Sequence, residues 1–277
     1  MPIDLSYVGK PLRTVSHSYT ERDVMLYALG VGCGTDELAF TYEGALKVLP
    51  TFAVIPAFPA MLAFGHVMQV NPAMVLHGEQ KIDIVAPIPT SGTITTTPTI
   101  AAVYDKTKSA VLVIETESKD ERGQVLFRNT SAIFVRGEGG FGGERGPSGP
   151  RNVPPDRAPD QTISYQTLPN QALIYRLSGD MNPLHADPNF AAMGGFPKPI
   201  LHGLCTYGHA GRAVLQAFCD NDPARFKSFE VRFAGVVYPG ETIVVDMWRT
   251  APGTVIVTAR TAERGEPVLA AAAAEIA

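Results

Sequence analysis

The sequence predicts an α+β protein made of two tandem copies of one unit, each an antiparallel sheet wrapped around a long central helix. Three observations point there. An apolar stretch from Pro56 to Val70 is followed, between Val75 and Val135, by short β-branched runs separated by turn residues. A segment dense in Gly, Pro and Arg then interrupts the chain, and after it the same order returns. At 277 residues, 45% of them hydrophobic, the chain is long enough to bury two cores of ordinary size.

Taken in order, Thr20-x-x-Asp23 followed by Val24, Leu26, Tyr27 and Leu29 predicts a capped helix running into the turn Gly30-Val31-Gly32-Cys33-Gly34. That turn is a poor dinucleotide loop, because its third glycine is at the wrong spacing and a helix rather than a strand leads into it. Phe58, Met61, Leu62, Phe64 and Val67 make the next helix apolar all round, as in a buried one. Strands are predicted at Ile82–Val85, Thr93–Thr95, Ala110–Ile114 and Ser131–Val135, with a hairpin turn at Glu121-Arg122-Gly123-Gln124. From Gly137 to Asp160 there is almost nothing to bury, so this reads as an exposed connector between a first domain, 1–136, and a second, 161–277.

Beyond the connector, Tyr175-Arg176-Leu177-Ser178-Gly179-Asp180 lines up with Tyr27-Ala28-Leu29-Gly30-Val31-Gly32. Tyr238 to Ile243 falls against Pro89 to Ile94, and Glu263-Arg264-Gly265 echoes Glu121-Arg122-Gly123. Three echoes in order indicate a duplicated unit. Its second copy has a central helix from Ile200 to Phe218 and strands within Ser228–Phe233, Thr242–Thr250, Thr254–Ala262 and Val268–Ile276. Open sheet edges let the two copies pair within the chain.

Composition narrows the function. A net charge of -4 argues against a nucleic-acid partner. Three cysteines, Cys33, Cys205 and Cys219, with no C-x-x-C pair suit a reducing compartment. Met1 to Lys10 lacks a basic-then-apolar leader, no apolar run reaches the roughly 18 residues of a membrane span, and Glu275-Ile276-Ala277 is no peroxisomal address. A soluble cytoplasmic protein is the expectation.

One stretch has the composition of a site: Tyr175-Arg176-Leu177-Ser178-Gly179-Asp180-Met181-Asn182-Pro183-Leu184-His185-Ala186-Asp187-Pro188, then Ile200-Leu201-His202-Gly203. Gly179 and Pro183 prevent it from being one helix. An Asp beside a His can deprotonate a water and return its proton, since imidazole titrates near neutrality and the carboxylate orients it. A Gly opening a helix can offer a bare N–H to a developing oxyanion.

This ordered run resembles the signature of the MaoC-like, type-2 (R-specific) enoyl-CoA hydratases in their double hot-dog form. The resemblance implies two tandem hot-dog domains, a degenerate first half, and hydration of trans-2-enoyl-CoA to (3R)-3-hydroxyacyl-CoA in fatty-acyl metabolism. By motif position it implies that Asp180 and His185 activate the water, Asn182 supports the site and the Gly203 N–H polarises the thioester carbonyl. No cofactor is implied, since coenzyme A is part of the substrate; a homodimer is. At the offset of Asp180 the first copy has Gly32, and at that of His185 it has Glu37, so it lacks the water-activating pair. Its interior, with Phe52, Phe58, Met61 and Phe64, either houses the acyl tail or merely completes the core.

Other readings compete. Asp180 and Asn182 suit a turn as well as a site. Asp187 reads as a cap for Asn189 to Met193. Asp-x-Asn opens like a calcium loop, but His185 sits where that loop needs Gly and no Glu closes it, and zinc would want more His or Cys; no metal is expected. His202 and His209 read as packing residues. Lys198 and Arg232 are candidates to rim the entrance against the coenzyme phosphates, or are ordinary solvated charges. A dehydratase acting on carrier-protein thioesters, a non-catalytic acyl-CoA-binding protein and a thioesterase remain alternatives.

Overall fold

The computed structural model describes residues 3–71 and 74–277; Met1 and Pro2, at the head of the segment read for a leader, lie outside it. The first half has β1 (Val15–Tyr19), α1 (Glu21–Gly30), α2 (Leu38–Thr41) and α3 (Val54–Met61), then β2 (Val75–Ile84), β3 (Gly92–Asp105), β4 (Ser109–Lys119) and β5 (Val125–Arg136). The second has β6 (Gln161–Gln166), α4 (Gln171–Tyr175), α5 (Pro188–Met193) and α6 (Gly203–Phe218), then β7 (Phe226–Phe233), β8 (Thr242–Ala251), β9 (Thr254–Thr261) and β10 (Pro267–Ile276). The order repeats, helix before sheet.

Among the described residues, ten strands form one sheet in the order β1-β3-β4-β5-β2-β7-β10-β9-β8-β6. The sequence reads the same from either edge once the copies are matched, so the halves are related by a pseudo-twofold at the centre. There β2 and β7 pair antiparallel from Glu79↔Arg232 to Asp83↔Ser228. Joining the copies edge to edge satisfies backbone groups that either sheet alone would leave open. Inward positions such as Ile82, Ile94, Ile114, Phe229 and Val245 are buried, and the helices pack on that one face.

α1 opens at the predicted Thr20–Asp23 pair, whose Asp23 carboxylate accepts from the Thr20 N–H at 2.8 Å and from the Thr20 hydroxyl at 2.7 Å. α6 is buried on nearly every side, from Leu204 to Leu215; each large apolar side chain withdrawn from water there contributes roughly 1.5–3 kcal/mol. Its counterpart differs from the prediction. The apolar run expected as a helix over Pro56 to Val70 is α-helical only over Val54–Met61, with Pro59 inside it, and continues as 3-10 turns over Leu62–His66. Pro59 gives no N–H to the preceding turn and crowds it, which weakens the helix from within. β1 and β6, short edge strands, were not predicted.

The connector, 137–160, carries no helix or strand, but it lies against the sheet rather than hanging free. The N–H groups of Gly140 and Gly142 donate to the Asp105 carboxylate, each at 2.8 Å. Asn152 Nδ2 donates to Glu230 Oε1 (2.7 Å) and to the Ala271 carbonyl (2.9 Å), and Trp248 Nε1–H to the Arg157 carbonyl (2.9 Å). It is a strap from one half to the other. No helix of the described residues is long and apolar enough to cross a membrane.

Candidate active site

After α4 the chain makes a 3-10 turn, Arg176–Ser178, and Gly179 takes φ +131°, which ends helical geometry and releases Asp180. Asp180 Oδ1 accepts the Asn182 N–H at 3.1 Å. Asn182 in turn caps the next 3-10 turn, Pro183–His185, its Oδ1 accepting the Leu184 N–H at 3.0 Å. So Asn182 ties the loop of Asp180 to the turn that presents His185. Asp187 is the N-cap of α5, as its spacing predicts, accepting the Asn189 N–H.

His185 is 8% exposed, and its Nδ1 lies 2.9 Å from the Ile200 carbonyl. A carbonyl only accepts, so Nδ1 carries the proton and Nε2 keeps the lone pair. Burial lowers the His185 pKa from its ordinary value, opposed by the Ile200 carbonyl and by Asp180. A neutral imidazole with a free basic nitrogen follows. Gly203 opens α6, where the N–H has no intrahelical partner. It is exposed although Leu201, His202, Leu204 and Cys205 are buried, and a Cβ on it would stand 3.2 Å from Phe233 Cδ1.

These groups share the wall of a cavity of about 670 Å³. Asp180, Asn182, His185 and Gly203 line it from the second half, and Phe58, Met61, Leu62, Phe64 and Val75 from the first. Of the apolar residues weighed as tail pocket or core, Phe58, Met61 and Phe64 therefore face the cavity, while Phe52 packs against Tyr19 and Tyr27 in the core.

The expectation that Arg232 rims this entrance is corrected. Along β7, Phe229 and Val231 point into the core, so Arg232 lies on the opposite face, where its Nε donates to Glu79 Oε1 at 2.8 Å. It does not line the cavity. Lys198 does not line the cavity either; its Nζ lies 5.1 Å from the ring centroid of Tyr238, the residue after the lining Val237. One histidine escaped the sequence reading and another carries a closer contact than packing implied. His77 lines the cavity from β2, where a bulge between it and Glu79 re-aims the strand, and no local pattern announces a bulge. His202, read as packing, stacks on His185 with ring centroids 3.6 Å apart.

Donor atoms of Asp180, His185 and His202 lie within 4.8 Å of one another, a grouping that a metal ion could use. The two rings, however, are stacked with planes 26° apart. Imidazole lone pairs lie in the ring plane, so stacked rings aim theirs side by side rather than at one ion. The arrangement fits proton transfer instead.

Residues 17–137 match the profile of the MFE-2 hydratase 2 N-terminal domain, and residues 151–268 that of the MaoC like domain. Over its whole length the chain is 43% identical to a probable enoyl-CoA hydratase 2 of Dictyostelium discoideum, covering 97% of that protein. The chain belongs to the MaoC-like family. Another relative, the 3-hydroxyacyl-thioester dehydratase Y of Mycobacterium tuberculosis, is 45% identical over 92% of this chain and 91% of its own length. The crystal structure of a MaoC-like dehydratase from Phytophthora capsici superposes with a TM-score of 0.90, 36% identity and 99% of both chains covered. The fold is the double hot-dog of this MaoC-like group, and the gap between the two matched segments falls inside the connector.

Proposed function

We propose that this chain reversibly hydrates trans-2-enoyl-CoA to (3R)-3-hydroxyacyl-CoA. The observation that carries this is the convergence of the Asp180 carboxylate, the His185 imidazole and the Gly203 N–H on one cavity large enough for a thioester and its tail. His185 Nε2 takes a proton from a water held with Asp180 as that water's oxygen bonds to C3. The C2=C3 electron pair shifts to form the C1=C2 bond as the carbonyl pair moves onto the thioester oxygen, where the Gly203 N–H stabilises the enolate. Return of a proton to C2 completes the addition. No electrons enter or leave, so the reaction needs no redox cofactor, and coenzyme A arrives with the substrate.

The tail runs toward Phe58, Met61 and Phe64, which supports a first half devoted to binding. Exposed Leu173, Leu177, Met181 and Met193 in and around α4 and α5 suit self-association as a homodimer. The test is to add crotonyl-CoA and longer enoyl-CoA thioesters, follow loss of enoyl absorbance, and determine the configuration at C3. An S product, or release of free thiol without hydration, would sink this reading. The dehydratase relative favours a second reading, the reverse direction on carrier-protein thioesters. Turnover of the same acyl chain on coenzyme A and on a carrier protein separates the two.

A further inference from the structure

The reaction above makes no use of His202, yet this residue touches both members of the acid–base pair. It is 1% exposed. Its ring lies face to face with that of His185, centroids 3.6 Å apart, and meets the Tyr175 ring at 4.9 Å. Its Nε2 is 3.1 Å from the backbone carbonyl of Asp180, so that nitrogen carries the proton and donates it. Nδ1 is buried with no hydrogen-bond partner among the described residues. Packing alone does not account for this, because a phenylalanine would fill the volume without stranding a polar nitrogen.

We propose that His202 is a positioning residue, which clamps the Asp180 carbonyl through Nε2–H and backs the His185 ring, so fixing the angle at which the pair meets water and thioester. The inference rests on the hydration reading. The titratable and charged groups around it are His185, Asp180, Arg176 and Tyr175. A second proton on His202 would face the ring that must accept one, and burial together with His185 pushes its pKa down to about 3. It therefore stays uncharged while His185 cycles.

Two substitutions separate the two contacts. His202→Phe keeps the stacked ring and loses the donor to Asp180. Its kcat should fall about ten- to a hundredfold with KM held within about twofold, and the acid limb of the pH profile should stay in place. His202→Gln keeps a donor but uncovers the face of His185. Burial is the largest cause lowering the His185 pKa, so the acid limb should rise by about half a pH unit or more. A wild type that does not hydrate enoyl-CoA ends the functional reading itself. A wild type that does, beside a folded His202→Phe with unchanged kcat or a His202→Gln with an unmoved acid limb, overturns the positioning role. Nitrogen-15 histidine spectra of the wild type decide the matter without any variant. His202 should show the Nε2–H form, uncharged between about pH 5 and pH 8; an Nδ1–H form or a titration in that range overturns the proposal.

Discussion

Where the second half presents Asp180 and His185, the first presents Gly32 and Glu37, and the two corners have opposite contents. The first is closed. Glu37 forms a two-pronged ion pair with Arg212 of α6, Oε1 to Nε at 2.6 Å and Oε2 to Nη2 at 2.7 Å, with side chains only 14% and 8% exposed. Arg212 also donates to the Val31 carbonyl and lies 4.1 Å from the Tyr165 ring centroid. Gly32, at φ +82°, is hemmed in by the same helix, since a Cβ there would come within 2.7 Å of His209 Nε2. A smaller cavity of about 390 Å³, lined by Leu46, Val48, Ile84 and Phe226 together with Lys47, Asp222 and Lys227, has no histidine among its described lining residues. The difference traces to the helices. α6 runs 16 residues and pushes His209 and Arg212 into its neighbour's corner, whereas α3 stops after 8 and leaves a hollow opposite His185.

The largest effect that would sharpen this contrast is on turnover. Asp180→Asn or His185→Ala should lower enoyl-CoA hydration on the order of 10²–10⁴-fold with little change in thermal midpoint. Near-normal turnover in either would erase the distinction between the corners. At the closed corner the expectation inverts: Glu37→Ala leaves Arg212 buried and unpaired, costing about 3–5 kcal/mol in denaturant unfolding while kcat holds. Gly32→Ala, which strains a left-handed backbone and meets His209, should cost about 1–3 kcal/mol without touching KM.

A further effect is on pH dependence. His77, His202 and His209 are held down to about 4, 3 and 4, chiefly by burial, so the folded state refuses protons that the unfolded chain accepts. Their stabilisation is complete above the ordinary histidine value of about 6.5 and is lost as pH falls through it toward those lowered values. The slope is up to about 1.4 kcal/mol per pH unit for each. A melting temperature that stays flat from neutrality down to about pH 4.5 would refute this.

Much of this was legible because it is local. The site motif lies in one short run, and the Thr20–Asp23 box and the Asp187 cap need only three or four residues of context. The paired sheet followed from matching the copies. β1 and β6 were not legible, since Val15-Ser16-His17-Ser18-Tyr19 and Gln161-Thr162-Ile163-Ser164-Tyr165 are polar edge strands that bury little. Arg232 was misplaced because its charge was read without its strand face. Glu37 and Arg212 stand 175 positions apart, and nothing in either neighbourhood announces the other.

The strap of residues 137–160 makes the two copies one molecule, and this has an evolutionary consequence. In an assembly of two separate but identical subunits, an arginine that plugs one hollow plugs its twin as well, because a single gene writes both. Once the copies are fused, each can drift alone: one hollow can be sealed for rigidity while the other is hollowed further for its guest, and neither change is imposed on its sibling.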